Sequence, residues 1–317
     1  MSRMLGHAPT GAVTRKDEAR PADEADDAAS DSRTLRARMS SPTIRPVPEG
    51  RYVTLANGHR IHLLDRGQGP VVVFLHGSGN GACGHSNFKH NYPDVVKAGC
   101  RAVLPDLIGF GYSDKPPEAQ YTLDFFVDCL NQTLDAARID RATIVGNSLG
   151  GAIALGLALA HPERVERLVL MAPGGLNDLP DYLAMPGMAS MFQLYGSGQA
   201  PSEERMRQFF REAFVFDPDV VTDDLVHERS ELAKLQIPQV MKTLKVPNLT
   251  ARLPEIPCPT LSLWGLNEKM MPESGILRLA KGLRNGRMVL VPNCGHWVMI
   301  EHRDLFNRML LDFLRNG

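Results

Sequence analysis

Three segments of this chain carry residue types that can do covalent chemistry together. Gly146-Asn147-Ser148-Leu149-Gly150-Gly151 follows the apolar run Ala142–Val145 and opens the small-residue stretch Leu149–Ala160, which reads as a helix. A G-x-S-x-G sequence between strand and helix sets its serine on a strained turn above the carboxyl edge of a sheet, where the hydroxyl can act as a nucleophile. The helix starting there aims backbone N–H groups and its positive dipole end at the same place. His76-Gly77-Ser78-Gly79-Asn80-Gly81 follows a second apolar run, Val71–Leu75. A glycine-rich loop at this point can offer the Gly79 N–H to a developing oxyanion, with the Leu149 N–H as the second donor. Each such donor is worth about 3 kcal/mol of transition-state stabilisation. His76 precedes the nucleophile, on the wrong side for the serine–acid–histidine order, and reads as a brace for its loop.

The base is expected last in the chain. Asn293-Cys294-Gly295-His296-Trp297 follows the run Met288–Val291 and precedes a closing helix, so His296 can reach a serine at the sheet edge and take its proton. His302 falls on the closing helix and reads as a packing or surface residue. The acid belongs on the turn after Thr260–Trp264, Gly265-Leu266-Asn267-Glu268-Lys269, where Glu268 is the carboxylate before Pro272. Aspartate is commoner in this role, and glutamate is an accepted variant. Asp178, after Val165–Met171, is the rival acid. Glu268 is preferred because its strand comes later and lies nearer the base in the usual element order.

These positions require a frame of alternating strands and helices. Arg51–Leu55 and Arg60–Leu64 flank Asn57-Gly58, a hairpin signal. Pro70–Leu75, Arg101–Leu104, Ala142–Val145, Val165–Met171, Thr260–Trp264 and Met288–Val291 read as strands. Tyr121–Ile139, Leu149–Ala160, Glu273–Leu283 and His302–Leu314 read as helices, the first opened by Thr122 as a cap. The alternation predicts an α/β fold with a mostly parallel central sheet flanked by helices. One segment breaks it. From 177 to 252 there is no buried-strand pattern, only helical stretches such as Glu203–Ala213 and Asp223–Leu235 with several methionines, which suit packing. The expected organisation is a disordered tail over 1–44, a core over 45–176 and 253–317, and an inserted helical cap over 177–252. The tail is acidic, lacks apolar periodicity and carries no apolar core of a secretory signal.

Composition narrows the partners. A formal net charge of −1 gives no electrostatic case for nucleic acid. No apolar run approaches the roughly 20 residues a membrane span needs. The five cysteines are scattered and odd in number, without a C-x-x-C pair, which argues against a disulfide framework or a zinc site and fits a reducing cytoplasm. The expected partner is a small-molecule substrate, with no metal and no organic cofactor.

Taken together, the motifs resemble the meta-cleavage-product hydrolases of bacterial aromatic degradation, a branch of the α/β-hydrolases. The resemblance runs from about Arg51 to Gly317. It is carried by the His76–Gly81 loop with Ser86-Asn87-Phe88, by Gly146–Gly151, by Ala172-Pro173-Gly174-Gly175-Leu176, by Cys294-Gly295-His296-Trp297, and by the terminal Phe306-Asn307-Arg308 and Asp312-Phe313-Leu314. It implies hydrolysis of a carbon–carbon bond in a 2-hydroxy-6-oxo-dienoate, the product of extradiol ring opening. It also implies that Arg229 binds the substrate carboxylate, that Asn87 and Asn147 are pocket amides and that Trp297 stands beside the base. Members often form dimers or larger assemblies, so a homo-oligomer is an open expectation. The chain departs from the family pattern at Asn80, where proline is usual, at His85, where tryptophan is usual, and at Glu268, where aspartate is usual. Two other readings stand beside it. A carboxylesterase would use the same three residues. A non-catalytic ligand receptor or a cofactor-free dioxygenase would use the same fold.

Overall fold

The computed structural model describes residues 50–196 and 198–317. The expected tail, 1–44, lies outside them. Eight strands form one sheet: β1 (Arg51–Thr54), β2 (Arg60–Arg66), β3 (Val71–Leu75), β4 (Arg101–Pro105), β5 (Ala142–Asn147), β6 (Val165–Met171), β7 (Thr260–Gly265) and β8 (Gly286–Val291). Their order across the sheet is β1-β2-β4-β3-β5-β6-β7-β8. The β1–β2 hairpin joins β4 antiparallel, and every pairing from β4 through β3 to β8 is parallel.

Burial explains the composition of the strands. β5 and β7 are buried along their whole length, and β3 (Val-Val-Val-Phe-Leu) nearly so, as continuous apolar runs in a sheet covered on both faces must be. β8 sits at the edge and leaves Leu290 exposed. The helix Leu149–Ala160 is apolar all round and rich in small residues because it lies between the sheet and the helix Leu123–Ala136. A Cβ at Gly156 would come within 2.8 Å of Val127 on that outer helix.

The structure adjusts several expected boundaries. The helix expected over Tyr121–Ile139 spans Leu123–Ala136, with Thr122 capping it by accepting from the Phe125 N–H. The closing helix expected over His302–Leu314 spans Arg303–Asn316; a short helix absent from the sequence reading, Val298–Glu301, precedes it, with His302 at the joint, its imidazole 2.9 Å from the Asn293 carbonyl. Short helices Gly84–Phe88 and Tyr92–Lys97, absent from the sequence reading, lie between β3 and β4. The segment between β6 and β7 holds helices Leu179–Leu183, Pro186–Tyr195, Glu203–Phe209, Asp223–Ala233 and Pro238–Thr243. After Phe209 the chain widens into a π-helical turn, Phe210–Phe214, in place of the straight helix expected to Ala213. Among the described residues no helix is long and apolar enough to cross a membrane. All five cysteines are buried and unbridged.

Candidate active site

The parallel register carries the ends of β3, β5, β7 and β8 to one edge of the sheet. Leu75 pairs with Gly146, and Gly265 with Val291. The loops leaving these strands bear Gly79, Ser148, Glu268 and His296. Ser148 has φ 56° and ψ −115°, a conformation that L-residues rarely adopt. Its N–H bonds the Met171 carbonyl at 3.0 Å, and its own carbonyl accepts from Ala152 and Gly174 at 3.0 Å each. The flanking glycines are steric necessities. A Cβ at Gly146 would stand 2.4 Å from the Gly150 carbonyl oxygen, and one at Gly150 would stand 2.2 Å from that of Leu75.

His296 and Glu268 meet directly, with Nδ1 2.6 Å from Oε2 and both side chains buried. The other Glu268 oxygen accepts the Met270 N–H at 2.6 Å and the Met271 N–H at 3.3 Å. The carboxylate is thus fixed by its own loop as well as by the imidazole. Asp178, the rival acid, is exposed, and its carboxylate accepts from Asn248 at 3.0 Å.

A cavity of about 160 Å³ opens above this edge. Ser148, His296, Gly79, Leu149, Asn87, Asn147, Arg229 and Trp297 all line it, and Glu268 stands behind His296. A Cβ added to Gly79 would meet nothing within 4 Å, so the backbone there is open to an approaching group. Asn147 is buried at the cavity wall, its Oδ1 without a partner. Its Nδ2 donates to the Met171 and His296 carbonyls at 3.3 and 3.4 Å, tying the serine turn to the histidine loop. His76 braces its loop: Nδ1 lies 2.8 Å from the Gly77 carbonyl, and Nε2 accepts the Leu107 N–H at 3.0 Å.

Arg229 enters from the helix Asp223–Ala233 and is 2% exposed. Its guanidinium lies 5.0 Å over the Trp297 ring and donates to Asn87 Oδ1 at 2.7 Å and to the Ser86 carbonyl at 3.4 Å. Its Nε has no partner. No carboxylate among the described residues bonds it, for the adjacent Glu228 is spent on His85 and Lys89. Burial pushes this guanidinium down from its ordinary pKa. Glu228 acts on it only through space; a buried cation that no carboxylate bonds directly is costly, and an incoming carboxylate would relieve that cost.

The sequence reading missed two parts of the site. Phe210 and Phe214 of the π-helical turn line the cavity, with ring centroids 4.8 and 4.6 Å from Trp297; Phe214 is also 5.1 Å from His296. Glu301 links that turn to the histidine loop. One of its oxygens accepts the Gly295 N–H at 2.9 Å and the other the Phe216 N–H at 2.6 Å, while the His296 N–H bonds the Phe214 carbonyl at 2.7 Å. A carboxylate five residues past the histidine, just before the expected closing helix, was the available signal.

Comparison with known proteins places this arrangement. Residues 70–303 match the α/β-hydrolase fold family. A 2-hydroxy-6-oxo-6-phenylhexa-2,4-dienoate hydrolase of Burkholderia cepacia is 40% identical over 282 residues, 84% of this chain and 96% of the relative. A 2-hydroxy-6-oxononadienedioate/2-hydroxy-6-oxononatrienedioate hydrolase of Comamonas testosteroni is 39% identical, with the same coverage of both chains. The solved meta-cleavage product hydrolase of Pseudomonas fluorescens IP01 superposes with a TM-score of 0.74 at 31% identity, covering 84% of this chain and 97% of that one. The chain is therefore an enzyme of the α/β-hydrolase family and belongs to its meta-cleavage-product hydrolase branch.

Proposed function

We propose that the protein hydrolyses the C–C bond of a 2-hydroxy-6-oxo-hexa-2,4-dienoate, giving a carboxylic acid and a 2-hydroxydienoate. The observation that carries this reading over an ordinary carboxylesterase is Arg229, a buried guanidinium without a carboxylate partner among the described residues, facing the cavity that Ser148 lines. An ester substrate has no need of it; a dienoate brings the missing anion. The names of the relatives agree with this reading.

In the proposed mechanism Arg229, supported by Asn87, holds the substrate carboxylate and so orients the dienol. The dienol ketonises by moving its hydroxyl proton to C5. Ser148 Oγ then attacks the C6 carbonyl as His296 takes the hydroxyl proton on Nε2, the nitrogen left open by Glu268. The N–H groups of Gly79 and Leu149 receive the oxyanion. When it collapses, the C5–C6 bond breaks, its electron pair leaves as a dienolate that is protonated, and the acyl group stays on Ser148 until water releases it. Every step uses groups of the chain and water, so the chemistry requires no cofactor. The helices between β6 and β7 act as a cap, since Arg229, Phe210, Met188 and Leu244 all reach the cavity from that segment. Five unbridged thiols agree with a cytoplasmic setting.

The test is bleaching of the yellow dienolate of 2-hydroxy-6-oxo-6-phenylhexa-2,4-dienoate, run beside a short-chain nitrophenyl ester. Rapid bleaching that Ser148→Ala abolishes, with slow ester turnover, supports the reading. Fast ester turnover without bleaching overturns it in favour of a carboxylesterase.

A further inference from the structure

The cavity above Ser148 has a neighbour. A second cavity, of about 240 Å³, adjoins it, and Asn80, Met191, Phe192 and Met241 line both. Beyond this shared wall the lining is mainly apolar, with Ala200, Ala233, Ile237 and Pro238. The one cation among its described lining residues, Lys242, is exposed and can keep its charge in water. Two of the shared residues are methionines, whose unbranched thioether side chains change rotamer at little cost. Asn80 is held from behind, its carbonyl accepting the Tyr195 hydroxyl at 3.4 Å, and its side-chain Oδ1 is buried without a partner. It occupies the boundary between the two spaces.

We infer that the second cavity is a subsite for the far end of an elongated, apolar C6 substituent, which passes between Met191, Phe192 and Met241 while the dienoate head remains at Arg229. This rests on the C–C hydrolase reading and adds to it a substrate class: ring-fission products bearing a long alkyl or arylalkyl arm. A product with a short arm would occupy the first cavity alone. The reaction supplying the substrate must then be an extradiol ring opening of a catechol that carries such an arm.

The experiment compares kcat/KM for three dienoates that differ only at C6, with methyl, phenyl and n-heptyl groups. A buried methylene is worth roughly a factor of four. Wild-type protein should therefore favour heptyl over methyl by at least tenfold. Ala200→Trp and, separately, Ile237→Trp fill the second cavity from outside the shared wall and should each bring that ratio to within about threefold of unity, chiefly through KM for the heptyl substrate. Two variants on different segments guard against one that fails to fold, and each is scored by its own heptyl-to-methyl ratio. A wild-type ratio near one, or a tenfold ratio that neither variant lowers, overturns the subsite while the methyl substrate is still bleached. Failure to bleach all three dienoates overturns the underlying reading as well, and methyl turnover tells the two failures apart.

Discussion

Glu268 Oε2 stands 2.6 Å from His296 Nδ1, while the opposite oxygen of the same carboxylate is held by the N–H groups of Met270 and Met271. The extra methylene of glutamate lets one side chain span both sets of partners. Glu268→Gln keeps an acceptor for Met270 but turns an amide N–H toward Nδ1. That favours the imidazole tautomer whose Nε2 carries the proton and cannot accept one from serine. It should lower kcat by on the order of 10³-fold or more, with KM little changed. Glu268→Asp cannot reach His296 without giving up the backbone N–H groups, and a loss of about 10–100-fold is expected. Steady-state kinetics of dienoate bleaching decides this. A Gln variant within tenfold of wild type would remove Glu268 from the mechanism.

Arg229 gives a test that separates recognition from folding. Arg229→Met keeps a long apolar side chain against Trp297 and removes the buried charge. Losing a charge-assisted carboxylate contact should cost about 1.5–3 kcal/mol, so kcat/KM for the dienoate should fall roughly 10–100-fold. Turnover of a neutral nitrophenyl ester should change less than about threefold. Because the buried guanidinium lacks a carboxylate partner, its removal should leave the Tm unchanged or raise it. A parallel fall of both activities with a lower Tm would make Arg229 a structural residue.

The parts of the site that were legible in the sequence are those fixed by local geometry. Gly146 and Gly150 announce the serine turn because the packing of a helix start on the tip of β5 leaves no room for a Cβ. Glu268 and His296 could be picked out because one is the carboxylate and the other the histidine on a short loop after an apolar run. Phe210 and Phe214 were hidden for the opposite reason. The π-helical turn that aims them at Trp297 is held by tertiary contacts, including the bond from the His296 N–H to the Phe214 carbonyl, and helical periodicity carries no trace of it. The short helix Val298–Glu301 escaped as well, since four residues carry no helical periodicity and Glu301 turns back to the histidine loop.

Glu301 bridges the His296 loop and the segment that follows the π-helical turn, so truncating it should be felt in stability and in catalysis. Glu301→Ala leaves the Gly295 and Phe216 N–H groups without their acceptor, at a cost of about 2–4 kcal/mol for the pair. Urea unfolding should show this as a lower midpoint. In the folded fraction kcat should also fall, because the loop carrying His296 loses one of its ties. Glu301→Gln retains a single acceptor and should recover at least half of the lost stability. Equal midpoints for Ala and wild type would show that water satisfies those N–H groups and that the bridge contributes nothing.

His76 predicts how stability depends on pH. Its ring is fully buried, donating from Nδ1 to the Gly77 carbonyl and accepting the Leu107 N–H at Nε2, so it must be neutral to make both bonds. Burial is the largest influence and holds its pKa down to about 4, against 6.5 for a free imidazole. The folded state therefore binds the proton more weakly than the unfolded state. The stability this residue confers is complete above pH 6.5 and is lost as pH falls from there to about 4, where the loss reaches roughly 3 kcal/mol. His76→Gln removes the titration. It should be less stable than wild type at pH 7, through weaker loop bonds, and the gap should narrow as pH falls to 5. Urea midpoints at pH 7, 6 and 5 for both proteins measure it. The difference between the two curves isolates His76 from the other histidines, and parallel curves would mean that His76 is not the group setting the acid sensitivity.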